Sequence, residues 1–259
     1  RWDARTGFWI NGRNVKLHGW GHKPTGSWAG LGAAVPDWLR DFTFRQMWEA
    51  GGNFIRYGHS AGSAFEAKLA DQYGFVTLMP GVDGERDCIG KAWATRSAAF
   101  RDMLIYFRNH PSILIWEGGN YNISTEHTAE LRRLVDRWDP RGQRSFGFRM
   151  ATPPMLPYID IEIGTVGRRR AFPNLPVVES EYDRIEAPRR LWDKYSPPDF
   201  GRMGLNEERN TYKADSESFA VNAVVEWWTK FASKPDHSGG ANWIFHDEPH
   251  GSRQVTDAA

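Results

Sequence analysis

The chain has 259 residues, with 33 Lys and Arg against 32 Asp and Glu, enough length for two small domains or one α/β barrel of about 250 residues. The scattered basic residues leave no electrostatic footprint for nucleic acid, the cluster in "GRRRAF" (167–172) reading as a solvated loop, and no apolar run reaches membrane-spanning length or forms a signal peptide at the start. One cysteine, Cys88, excludes an intramolecular disulfide and a thiolate metal site, whereas 13 Trp residues suit flat apolar rings that meet polar ligands such as sugars, or a large core.

Strand-like and helix-like segments alternate along the chain. "NVKLHGW" (14–20) reads as a strand, and the following segment 36–52 carries Trp38, Leu39, Phe42, Met47 and Trp48 at near-helical spacing before a Gly-Gly stop. The pattern repeats with strand 53–57 and helix 64–74, then strand 75–79 and a long helix ending near Arg108. Strand 113–116 follows, with a helix that Ser124 or Thr125 caps and Asp139-Pro140 ends. Strands are expected at 144–148, 159–163, 175–181 and 240–245, with short Pro-rich connections between the fifth and seventh and one helix over 218–232.

Eight strands in this order predict a (β/α)8 TIM barrel, with a doubly wound sheet as the alternative. No G-x-G-x-x-G follows the first strand, which weakens that alternative. No linker, low-complexity tract or run of like charge divides residues 1–259, so a single domain is expected. The eighth helix is missing and the start at "RWDARTGFWINGR" is abrupt, which suggests a piece of a longer polypeptide.

Barrel enzymes hold their chemistry at the C-terminal ends of the strands. The residues just past each apolar run are Gly21 and His22; Arg56 and His59; Asp83 and Glu85; Glu117, Asn120 and Tyr121; Glu162; Glu179 and Glu181; and Trp243, His246 and Asp247. Several carboxylates around one mouth suit glycosidic bond cleavage, where one group protonates the leaving oxygen and another attacks the anomeric carbon or activates water. Two-residue periodicity puts Glu179 and Glu181 on the same side of their strand, either raising one pKa or calling for a cation such as Arg56. Each residue also has a structural reading: the carboxylates as ion pairs, His22 and His59 as hydrogen-bonded histidines, Trp243 as core. His22, His59 and Asp83 lack tight ligand spacing, so no metal is expected.

Six segments in register resemble glycoside hydrolase family 2, the β-galactosidase, β-glucuronidase and β-mannosidase group. "GFWINGRNVKLHGWGHK" is similar to the opening of that family's barrel, "GGNFIRYGHSA" to its second strand and "DQYGFVTLMP" to its third. "RNHPSILIWEGGNYN" resembles the fourth strand and its Asn-Glu loop, "LPVVESEYD" the Glu-Tyr of the seventh, and "GGANWIF" the eighth.

The resemblance implies hydrolysis of a β-linked glycoside, with Glu181 as nucleophile, Arg56 orienting it, and His22 and His59 in the substrate pocket. Asn120 would bind the sugar 2-hydroxyl, and Trp243 would form an aromatic floor. The family's general acid/base, the Glu after that Asn, is Tyr121 here, a phenol of ordinary pKa about 10 that donates protons poorly at neutral pH. Glu117 is the first substitute proton donor to consider. Glu162, Asp83, Glu85, Asp247 and Tyr121 itself are others, and a barrel that only binds carbohydrate is the alternative function. No cofactor, nucleic acid or membrane partner is implied. Flanking β-sandwich domains and a periplasmic or secreted location are expected, and the polar stretch from Asp183 to Ser216 would form a pocket wall that sets specificity.

Overall fold

The computed structural model describes residues 1–25, 28, 30–82, 86–120, 123–141, 144–164, 172–182, 221 and 224–246. The first fifteen residues form a small antiparallel sheet of β1 (Trp2–Asp3), β2 (Gly7–Ile10) and β3 (Arg13–Val15). Asn11 and Gly12, both at positive φ, turn β2 into β3 as an Asn-Gly hairpin favours. The strand predicted over 14–20 is therefore two: β3 ends at Val15, and the barrel opens with β4 (Leu17–His22). Apolar alternation runs through the junction, so periodicity alone does not show that the chain changes sheets there.

Seven further strands follow: β5 (Phe54–Tyr57), β6 (Val76–Pro80), β7 (Ile113–Glu117), β8 (Ser145–Arg149), β9 (Ile161–Gly164), β10 (Val177–Tyr182) and β11 (His237–Asn242). They pair in parallel around a closed ring in chain order, with β11 meeting β4, which is the predicted (β/α)8 architecture. Leu17, Phe54, Val76, Leu78, Ile115, Ile161, Ile163, Val178 and Ala241 fill the interior, and Phe8 of β2 joins them. On the outside, Ile55, Tyr57, Met79, Trp116, Phe146 and Phe148 pack under helices α1 (Asp37–Glu49), α2 (Ala64–Tyr73), α3 (Gly90–Phe107) and α4 (Thr125–Trp138).

The last strand differs from its predicted span of 240–245. It begins at His237, and the apolar Trp243, Ile244 and Phe245 lie beyond its end. Ring closure is the reason: a Cβ at Gly239, where φ is +102°, would stand 2.0 Å from the Leu17 carbonyl oxygen, so the closing strand is built from small residues that an apolar-run criterion passes over. Of the helix predicted over 218–232, residues 221 and 224–232 are described, ending in a π-helical turn at Trp228–Ala232. The expectation that the eighth helix is missing falls on the segment beyond His246, which lies outside the described residues.

Two caps tie helix starts to the mouth of the barrel. Ser63 Oγ accepts from Glu66 N, and the Glu66 carboxylate accepts from Ser63 N at 2.6 Å, a capping box that fixes the start of α2. Ser124, one of the two predicted caps, accepts from His127 N to start α4. Thr128, Leu131 and Val135 then face inward along α4.

Candidate active site

The C-terminal strand ends bring a dense ionic cluster together. Arg56, fully buried on β5, donates from Nε to Glu117 Oε2 at 3.0 Å and from Nη2 to Glu117 Oε1 at 2.6 Å. Its Nη1 donates to Glu181 Oε1, and Nη2 also reaches Asn120 Oδ1 at 3.0 Å. Burial alone would pull the guanidinium down, but Glu117 and Glu181 outweigh it and hold Arg56 charged. Four of the predicted residues thus meet in one place.

A fifth member comes from β8. Arg149 Nη2 lies 2.9 Å from Glu181 Oε2, and its Nη1 donates to Asn120 Oδ1 at 3.0 Å. Collecting the polar residues past the apolar runs misses Arg149, although the same rule applied to "SFGFR" would have found it: a charged residue that closes an apolar barrel strand points to the mouth.

Strict alternation fails along β10. Its register against β11 shifts on both sides of Glu179, which interrupts the two-residue alternation expected to put Glu179 and Glu181 on one side, although one raised carboxyl and a cation, Arg56, on the other are both present. Glu181 reaches the two arginines, whereas Glu179 Oε1 accepts from Ser180 N at 3.1 Å and Glu181 N at 3.4 Å. Neighbouring glycines make room for this second carboxyl: a Cβ at Gly240 would meet Glu179 Cβ at 2.5 Å, and one at Gly164 would meet Glu179 Oε2 at 3.0 Å. Burial, against the pull of backbone N–H donors and Arg149, pushes Glu179 up to about 8. It therefore carries its proton at neutral pH.

The seat of Trp243 is built by fit. Trp243 is buried where glycines on two neighbouring segments leave space: a Cβ at Gly21 would stand 2.4 Å from its ring, and one at Gly58 2.7 Å. His59 stacks on it with centroids 5.4 Å apart, and the cations of Arg56 and Lys23 each lie 5.6 Å from its ring centre. Lys23, one residue past β4, is another site neighbour that sequence reasoning misses. The indole Nε1 of Trp243 has no hydrogen-bond partner among the described residues.

Where β4 packs under α1 and α2, the His22 ring lies against Phe44 and Tyr57, its Nε2 is 3.0 Å from Glu66 Oε1, and Arg40 Nη1 lies 2.9 Å from the same oxygen. Burial raises Glu66, but the His22 hydrogen bond and charge, the Ser63 N–H and Arg40 outweigh it and keep the carboxyl below its usual range. The helix cap thereby fixes the orientation of His22. His246, past β11, falls to about 4 through burial and the nearby His22, and is neutral at physiological pH.

Two predicted groups stand apart from a catalytic placement. Glu117 has no exposed side-chain area and both its oxygens are taken by Arg56, a geometry that favours the ionised form and disfavours proton donation. Glu162 alternates with Ile161 and Ile163, which fill the barrel interior, so it faces away from the axis, and it accepts from Phe172 N at 3.0 Å. Tyr121, Asp83, Glu85, Asp247 and the stretch from Asp183 to Ser216 lie outside the described residues. Among the described residues no group of three or more His, Cys, Asp or Glu side chains is arranged to hold a metal ion. A cleft of about 710 Å³ lies at the opposite end of the barrel, but its Arg108 and Arg144 are spent on Asp139 and on backbone carbonyls of Ile113, His110 and Trp138.

Fold and mouth together define a TIM barrel with a carboxylate held by cations near a buried indole at the C-terminal strand ends. No protein-family model matches the chain. A "Beta-glucuronidase" of Formosa agariphila is 56% identical over 254 residues, 97% of this chain and 26% of that protein. A solved structure described as a β-glucuronidase from glycoside hydrolase family 2 superposes with a TM-score of 0.87 at 54% identity, over 99% of this chain and 28% of the other. A Parabacteroides merdae β-glucuronidase shares the fold, with a TM-score of 0.76 at 17% identity. The chain belongs to glycoside hydrolase family 2, in the group of the β-galactosidases, β-glucuronidases and β-mannosidases. It spans about a quarter of the length of these two near relatives.

Proposed function

We propose that this chain is the catalytic barrel of a glycosidase that cleaves a β-linked glycoside, a β-glucuronide in the first instance, with Glu181 as nucleophile. The observation that carries the reading is a buried carboxylate at the end of the seventh barrel strand whose two oxygens are each held by a guanidinium, Arg56 and Arg149. The sugar preference comes from the two near relatives named as β-glucuronidases.

In this reading a Glu181 oxygen bonds to the anomeric carbon as the bond to the leaving oxygen breaks, and the leaving oxygen takes up a proton. Water then cleaves the glycosyl ester and frees Glu181. Arg56 and Arg149 keep the carboxylate ionised and fixed, and Asn120 holds the 2-hydroxyl. Trp243, His59 and His22 line the sugar pocket. Glu117 serves as the anchor of Arg56, and the proton comes from a group on the loops past the strands. Flanking β-sandwich domains complete the longer protein.

The test is a fluorinated glycosyl fluoride that traps the ester, with peptide mass mapping of the label, alongside Glu181→Gln on aryl β-glycosides. Label at Glu181 and a loss of turnover of about 10³-fold or more are expected. Unchanged turnover in the variant refutes the assignment. Tyr121 at the family's acid/base position favours a second reading, a barrel that binds carbohydrate without cleaving it. Aryl glycosides with good leaving groups need little acid help, so binding with neither turnover nor label on that panel would support this alternative.

A further inference from the structure

We propose that Arg149 is a positioning residue for the reaction, supplying the second cation that keeps Glu181 ionised and fixing the amide of Asn120. The proposal rests on the reading of Glu181 as the nucleophile.

The argument begins with charge. Arg56 is shared: it grips Glu117 through two hydrogen bonds and also meets Glu181, so one guanidinium faces two fully buried carboxylates. Two carboxylates sharing one cation in a dry site leave a net negative charge, which such a site relieves by binding a proton. A proton on Glu181 would remove the nucleophile. Arg149, itself buried at the end of β8, brings the count to two cations for two carboxylates. Glu179 adds no further negative charge at neutral pH, because its burial outweighs the backbone N–H groups of Ser180 and Glu181 and keeps it protonated.

Geometry gives the second half. Arg56 takes Oε1 of Glu181 and Arg149 takes Oε2, so the carboxylate plane is held at both ends, where one guanidinium nitrogen alone would leave it free to rotate. The two guanidiniums also converge on one atom, Asn120 Oδ1, each at 3.0 Å. Only the carbonyl end of an amide accepts from two such donors, so Asn120 presents its NH₂ elsewhere, as a donor. Its hydrogen bond to a sugar hydroxyl then has a fixed sense: the amide donates and the hydroxyl oxygen accepts. Losing Arg149 would release both the nucleophile and this donor.

The experiment measures kcat, KM and the pH profile of kcat/KM on an aryl β-glycoside for the wild type, Glu181→Gln, Arg149→Met and Arg149→Lys. With the second cation gone, Arg149→Met should move the acid limb upward by about 1 pH unit or more, the size of effect an adjacent opposite charge has on a carboxylate. Arg149→Lys keeps the charge but cannot bridge two acceptors as a planar fork does, so the acid limb should stay while kcat falls about tenfold at unchanged KM. An acid limb in Arg149→Met that coincides with wild type overturns the proposal while leaving the nucleophile reading intact, provided Glu181→Gln is inactive. Activity in Glu181→Gln instead overturns the reading beneath it. Should Arg149→Met fail to fold, Arg149→Lys decides, and wild-type kcat there overturns the proposal.

Discussion

Replacing Glu179 by Gln should make the protein more stable as the pH rises. Glu179 is 3% exposed, and burial lifts its pKa from the usual 4.5 to about 8. Below pH 4.5 the carboxyl is protonated in both the folded and unfolded chain, and its ionisation contributes nothing. Between 4.5 and 8 the unfolded chain releases the proton and the folded chain keeps it, so stability falls by about 1.4 kcal/mol for each pH unit. Above about 8 the folded carboxyl ionises as well and the loss levels off, at a total on the order of 5 kcal/mol. A Gln side chain offers the same amide-type oxygen to Ser180 N and Glu181 N but has no proton to release. The stability difference between Glu179→Gln and wild type should therefore grow from about pH 5 to about pH 8 and then stay constant. For a chain of this size each kcal/mol moves Tm by roughly 2–4 °C, so thermal melts across that range resolve the trend. Other titrating groups are common to both proteins and cancel in the difference. Parallel stability curves for the two would refute the reasoning.

Further outcomes follow from the same cluster. Arg56→Met removes the guanidinium that grips the fully buried Glu117 and leaves Arg149 as the remaining cation on Glu181, and should cost about 3–5 kcal/mol in denaturant unfolding; adding Glu117→Gln should restore part of that loss, since it removes one of the two carboxylate charges. Gly21→Ala places a Cβ 2.4 Å from the Trp243 ring, which must tilt away; it should lower stability by about 1–3 kcal/mol and, on the proposed function, raise KM for glycosides. Unchanged melting and KM in that variant would show that Trp243 is not seated by the glycine.

Much of the site was legible in the sequence, because an apolar run marks a barrel strand and the polar residue after it marks the mouth. Arg56, Asn120, Glu181, His59 and Trp243 are found that way, and they gather at one end of the barrel, while His22, found by the same rule, pairs with Glu66 of α2. Glu162 satisfied the same local criterion and faces the other way, since its apolar neighbours Ile161 and Ile163 claim the interior side. The closing strand was displaced for a related reason: Gly239 and Gly240 let it approach its neighbours, and small residues leave no apolar signature.

The chain's own order thus determined the alternation of strands and helices, the family likeness and the identity of the residues at the strand ends, all properties written in short segments. Which of those residues meet was decided by closure of the barrel. Arg56 reaches Glu117 across 61 positions and Glu181 across 125, distances along the chain over which no local pattern carries information. Tertiary structure made Glu117 a partner of Arg56, brought Arg149 to Glu181, and gave Glu179 a pocket between two glycines. Each of these depends on desolvation and on charges brought within hydrogen-bond reach, quantities that exist only once the eight strands have closed.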